Sequence, residues 1–250
     1  MTKKIVAALL GMLLMGIGAA AQAASCPAAP PAQIAFEAVP SPLPQDTSAS
    51  AKELAAKMGA TGDRYAAGYY DASSLTSSKR DTAIAKLPDG TVCAAIAKLT
   101  VKISLERKLW LASELKDNDC VLHAFATAYG ARGKADDEAT AQFGQTVVPS
   151  YQNKVAAIGW RTAKTQEDAV KEIADKVAPI MTEIQDKFLE QRTAAQSRID
   201  LSHLPADACD GATEKLGHKV GVGNDAAPAN APASSNAPAS PSAPAVKPHY

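Results

Sequence analysis

The chain has no surplus of charge of either sign: 26 basic and 26 acidic side chains cancel, and only four His are present. Lys3 and Lys4 are expected to leave with an N-terminal export signal, and residues 1–23 hold no acid. The mature chain would then carry 24 basic and 26 acidic groups, a net charge of −2. That balance excludes a dense basic surface of the kind that binds nucleic acid or anionic lipid. Catalytic signatures are missing as well. There is no G-x-S-x-G elbow, no P-loop and no G-x-G-x-x-G after a strand. Cysteine is sparse, and Cys26, Cys93, Cys120 and Cys209 form no C-x-x-C pair. No His stands beside them in a ligand pattern, which argues against a zinc knot.

The apolar run at residues 5–21 follows Lys3 and Lys4 and ends in Ala21-Gln22-Ala23, an A-x-A cleavage pattern. It predicts a signal peptide over 1–23 and a periplasmic or extracellular destination. The run is at the short limit for a membrane helix, so no membrane span is expected after cleavage. An even cysteine count in an exported chain favours two disulfides. Of the three pairings, Cys93–Cys120 would bracket a strand unit and the start of the next helix. Cys26–Cys209 would then tie the two ends of the folded region together.

Proline-rich segments at 27–32 and 40–44 flank Gln33-Ile34-Ala35-Phe36-Glu37-Ala38-Val39, which alternates enough to read as a first strand. Ser50-Ala51-Lys52-Glu53 fits a capping box, so a short helix burying Leu54 and Met58 should follow and stop near Gly59. Residues 64–71 are compatible with a strand, and Asp89-Gly90 signals a turn. The clearest strand comes next. Leu99, Val101, Ile103 and Leu105 alternate with Thr100, Lys102, Ser104 and Glu106, as in a sheet with one wet face. Glu106-Arg107-Lys108 is expected to turn the chain, with Leu109-Trp110-Leu111-Ala112 returning as the second arm of an antiparallel hairpin.

Helical spacing then takes over. Asp117-Asn118-Asp119 offers cap candidates ahead of Val121, Leu122, Phe125, Ala128 and Tyr129, while Gly130 and Gly133 weaken the continuation. Helical character resumes with Val148, Tyr151, Val155 and Ile158. Thr165 and Asp168 form a variant capping box before an apolar stripe of Val170, Ile173, Val177, Ile180, Ile184 and Phe188, with Pro179 expected to kink or divide the helix. That stripe reads as core, or as a helical surface for a partner or second copy. Residues 223–250 are dominated by Ala, Pro, Ser and Asn, and cannot bury enough apolar surface to offset ordering entropy; a disordered tail is expected. The sequence therefore predicts an α+β fold: a small antiparallel sheet built on 92–112, packed against several helices and stabilised by disulfides. One domain would span 24–222.

Several of these blocks resemble a group of bacterial exported proteins described as putative secreted zinc-dependent proteases of unknown function. The similar features are Cys93, the alternating strand at 99–105, Leu109-Trp110-Leu111-Ala112-Ser113-Glu114, Cys120 with a helix after it, and Ile199-Asp200 ahead of Cys209-Asp210-Gly211. The resemblance spans about residues 33–212. It implies H-E-x-x-H on the helix after the second cysteine, where two His one turn apart grip Zn²⁺ and the Glu acts as base. At the matching positions this chain carries Ala128, Tyr129 and Arg132, so no metal ligand or catalytic residue carries over. His123 has Thr127 at i+4, and His203, His218 and His249 are scattered; a zinc site built from these with Asp136, Asp137 or Glu138 would be ad hoc. The resemblance thus implies a degenerate member without cofactor, a non-catalytic exported protein that binds an envelope protein or cell-wall component. A divergent zinc-dependent hydrolase is the alternative.

Overall fold

The computed structural model describes residues 25–39, 41–201 and 209–212; the signal reading of 1–23 and the tail reading of 223–250 lie outside these. The elements are β1 (Gln33–Val39), β2 (Gln45–Asp46), α1 (Ala51–Lys57), β3 (Gly68–Lys86), β4 (Val92–Leu111), α2 (Asp119–Thr146), α3 (Gln152–Ala156), β5 (Arg161–Ala163) and α4 (Gln166–Gln196). Short 3-10 turns at Ser113–Leu115 and Val148–Tyr151 complete them.

The alternation that begins at Leu99 does not stop at Leu105. It continues through Leu109 and Leu111 inside a single 20-residue strand, β4. The expected turn at Glu106-Arg107-Lys108 is therefore corrected: three adjacent charges do not end a strand whose side-chain parity is unbroken. Glu106 and Lys108 take the wet face and Arg107 the covered one. The hairpin forms upstream instead, where β3 pairs antiparallel with β4 along its whole length. Asp89-Gly90 makes that turn, with Gly90 at φ +86° and the Leu87 N–H donating to the Thr91 carbonyl at 2.8 Å.

Every strand pairs with β4. β3 covers one edge. The other edge is shared end to end by β5 (antiparallel, at Val92 to Ala94), β1 (parallel, at Lys98 to Ser104) and β2 (parallel, at Leu109 and Trp110). The sheet is thus mixed where an antiparallel one was expected. Alternation specifies which face a side chain takes and carries no information on strand direction. Between Asp81 and Thr82 the register slips past Ala97, a bulge. Its effect is to change the parity of β4: Val92, Ala94 and Ile96 face the main core before it, and Leu99, Val101, Ile103 and Leu105 after it.

The helices cover one face only. The expected stripe of α4 is core, with Ile173, Val177, Ile180, Ile184 and Phe188 buried against the strand and against Phe143 of α2. It is not a free partner surface. Pro179 leaves α4 undivided because it stands on the exposed side, where water can reach the carbonyl one turn back. α2 also runs unbroken through Gly130 and Gly133. Two of its glycines admit a neighbour: a Cβ on Gly133 would come within 2.6 Å of Leu43, and one on Gly144 would collide with the Phe36 ring. Asn118 caps α2 by accepting from the Val121 N–H at 3.1 Å, and Thr165 caps α4 by accepting from Asp168 at 3.1 Å. At α1 the Ser50–Glu53 capping box forms as expected, and Leu54 is buried.

Disulfides join Cys26 to Cys93 and Cys120 to Cys209, with Cα separations of 6.0 and 5.8 Å. The expected Cys93–Cys120 and Cys26–Cys209 pairs are corrected, and β4 supplies the reason. Cys93 opens that strand and Cys120 follows its far end, so at ~3.3 Å per residue the two stand on the order of 50 Å apart. A disulfide needs Cα atoms within ~7 Å. Only a chain folding back near residue 107 could bring Cys93 and Cys120 together, and β4 runs straight through that point.

Candidate functional site

Arg107 occupies a covered-face position of β4 between Leu105 and Leu109. It separates two apolar clusters. One contains Leu99 to Leu105 with α4, α3 and the C-terminal half of α2; the other contains Leu109, Leu111, α1 and Phe125 near the start of α2. The Arg107 side chain is only 5% exposed. Its guanidinium donates to the Gly133 carbonyl at 3.0 Å, to Asp137 at 2.7 Å, and to the Ser41 carbonyl. Beside it lies a second charged pair. Asp136 of α2 is fully buried and accepts from Arg192 Nε of α4 at 3.0 Å, Gln196 Nε2 at 2.6 Å and the Tyr70 hydroxyl of β3 at 2.6 Å. Arg192 also donates to the Ala72 carbonyl at 3.2 Å, and Gln196 to that of Arg132 at 2.8 Å. One polar seam thereby joins β3, β4, α2 and α4.

The seam holds its charges in fixed partnerships. Both Asp136 oxygens are occupied by donors, and Arg192 supplies the compensating charge that a buried carboxylate requires. Burial, then the hydrogen bond to Asp136, push the Tyr70 phenol well above its usual range, so it stays protonated as a donor. Arg107 Nε and Gln196 Oε1 are buried without a hydrogen-bond partner. A cleft of about 130 Å³ lies next to the seam, lined by Val39, Ser41, Leu105, Asp137 and Thr140. Small-molecule sites usually enclose ~300 Å³ or more.

The positions matched to a zinc helix lie one to two turns earlier on α2. Ala128 and Arg132 are half-buried. Tyr129 packs over Gly68, whose hypothetical Cβ would come within 2.7 Å of its ring, and stacks on Phe125 with centroids 6.5 Å apart. Burial raises its phenol as well. His123 is exposed on the same helix. The acids nearest to such a site are engaged elsewhere: Asp136 and Asp137 in the seam, and Glu138 facing Lys134 at 3.9 Å. Among the described residues no group of three His, Cys, Asp or Glu side chains is arranged to hold a metal ion; His203, His218 and His249 lie outside them.

No protein-family model, no curated protein and no solved structure matches the chain.

The wet face of the sheet carries its own charge pairs. Lys102 meets Glu37 at 2.7 Å, and Lys108 meets Asp46 at 2.7 Å. Lys108 and Ser48 hold the Asp46 carboxyl well below the ordinary carboxylate range. The Lys108 and Lys57 ammonium groups stand 3.9 and 4.5 Å from the Trp110 ring centroid. No helix among the described residues is long and apolar enough to cross a membrane. The two disulfides are compatible with an oxidising compartment outside the cytoplasm.

Sequence reasoning missed the seam. Its signal was present: Arg107 interrupts an apolar parity, Asp136 falls seven residues before Phe143, and Arg192 four after Phe188. Each is a charge standing where periodicity assigns an apolar side chain.

Proposed function

We propose that this is an exported, non-catalytic protein that acts by binding an envelope protein or a cell-wall component. The scaffold would be that of a zinc peptidase whose helix has been turned to packing. One observation carries this reading. Tyr129, at the position matched to the catalytic Glu, is committed to Gly68 and Phe125, and the acids further along α2 are committed to basic side chains. A water-activating site needs a metal with an open position and a free base beside it. Neither Ala128 nor Arg132 offers a ligand atom that would replace His there.

The test is zinc titration of the oxidised mature protein by calorimetry, with metal analysis after purification. The expected result is no stoichiometric zinc and no cleavage of casein. One tightly bound equivalent that disappears in His123→Ala would overturn the reading and install the divergent hydrolase.

A further inference from the structure

β3 is bonded to β4 along one side; among the described residues no strand covers its other side, where the Ala72 carbonyl accepts from Arg192 at 3.2 Å. Long open edges invite strand addition. The register of β3 with β4 is regular from Gly68 to Asp81, and the bulge then breaks it. Near the middle of that regular stretch stands Leu75, which is 59% exposed on the wet face. Odd-numbered side chains from 71 to 79 share that face: Asp71, Ser73, Leu75, Ser77 and Lys79, all exposed.

From this edge we infer that the chain self-associates, two copies joining their β3 strands antiparallel across a two-fold axis at Leu75 to make one continuous sheet. The chemistry of the edge selects both partner and register. Two copies related by a two-fold axis normal to the sheet must pair residues of equal parity. With the axis at Leu75, Asp71 of each copy lies directly opposite Lys79 of the other, and the two Leu75 side chains meet at the centre. Moving the axis to Thr76 would instead oppose Asp71 to Asp81, two like charges, and moving it to Ser74 would oppose Asp71 to Ser77. Directly opposed cross-strand charges of opposite sign favour pairing, and like charges oppose it. Within one chain Asp71 forms no salt bridge among the described residues, and Lys79 reaches only Asp81, at 4.0 Å. The strand on offer is thus self-complementary in charge. On the covered side the same register sets Ser74 opposite Thr76, two hydroxyls suited to a cross-strand hydrogen bond.

Sedimentation equilibrium of the oxidised mature chain, alone and as charge-swapped variants, tests the inference. The wild type should show a concentration-dependent dimer. Asp71→Lys and Lys79→Asp should each weaken it about tenfold or more, a change equivalent to ~1.4 kcal/mol. The double variant Asp71→Lys/Lys79→Asp restores opposite charges across the axis and should return the dimer to within about threefold of wild type. Circular dichroism melts establish that each variant is folded, and the double variant serves as its own control. A wild-type chain still monomeric at ~1 mM would overturn the inference and leave the edge to an extended segment of another protein. So would a dimer indifferent to either swap, or a double variant no better than the singles.

Discussion

Replacing Asp136 with Asn should cost this protein more stability than any other substitution of similar size. Asn keeps the shape and loses the charge. Arg192, 13% exposed, then has no counter-ion, and the Tyr70 hydroxyl, Arg192 Nε and Gln196 Nε2 compete for one amide oxygen. Removing one partner of a buried pair typically costs about 3–5 kcal/mol. The residual exposure of Arg192 and its second bond to the Ala72 carbonyl favour the lower end, about 3 kcal/mol. For a chain of this length that is a fall in Tm of roughly 6–12 °C. Urea unfolding of the oxidised protein, read as a midpoint shift at constant m, provides the measurement. Arg192→Met should be similarly harmful alone. The Asp136→Asn/Arg192→Met double variant should recover at least about 1 kcal/mol of the summed loss, because it removes both charges together. A loss below ~1 kcal/mol for Asp136→Asn, or strict additivity in the cycle, would refute the argument that this pair closes α2 and α4 onto the sheet.

Peptide mapping without reduction should recover fragments linking Cys26 to Cys93 and Cys120 to Cys209; a Cys93–Cys120 fragment would contradict the 20-residue strand. Gly144→Ala drives a methyl into Phe36 and should destabilise by about 1–3 kcal/mol, whereas Gly130→Ala, with nothing within 4 Å, should stabilise by up to ~1 kcal/mol in chemical denaturation. The Tyr70 phenol is raised in the folded state, so its contribution is intact below the unfolded tyrosine value of ~10 and declines as pH rises beyond it. The alkaline loss of stability should be shallower in Tyr70→Phe, and an unchanged slope would count against the Tyr70–Asp136 bond.

Face assignments were legible in the residues, and directions were not. The first strand was readable at Gln33 to Val39, the α1 capping box at Ser50 and Glu53, and the α4 stripe at Ile173 to Phe188, because each depends on neighbours a few positions away. β3 was mostly hidden. From Asp71 to Asp81 it is Ser, Thr and charge with one Ala and one Leu, since it is an edge strand with little apolar surface to bury. Missing it displaced the hairpin by one arm and carried the disulfide pairing with it. The glycines of α2 misled for a related reason: their cost in helix propensity is real, but Leu43 and Phe36, distant in sequence, occupy the space they leave. The polar seam failed to stand out because Arg107 reads locally as part of a charged turn and Asp136 only as an ad hoc zinc ligand.

Because each of the other strands bonds to β4 alone, the order in which the sheet can assemble is constrained. β1 is made first, yet its partner residues begin at Lys98, more than sixty positions later, and β2 waits about as long for Leu109. A chain made from its N-terminus onward must therefore carry β1 and β2 unpaired until β4 has emerged. The proline-rich stretches on either side of β1 suit that interval, since they disfavour premature pairing of the segment they enclose.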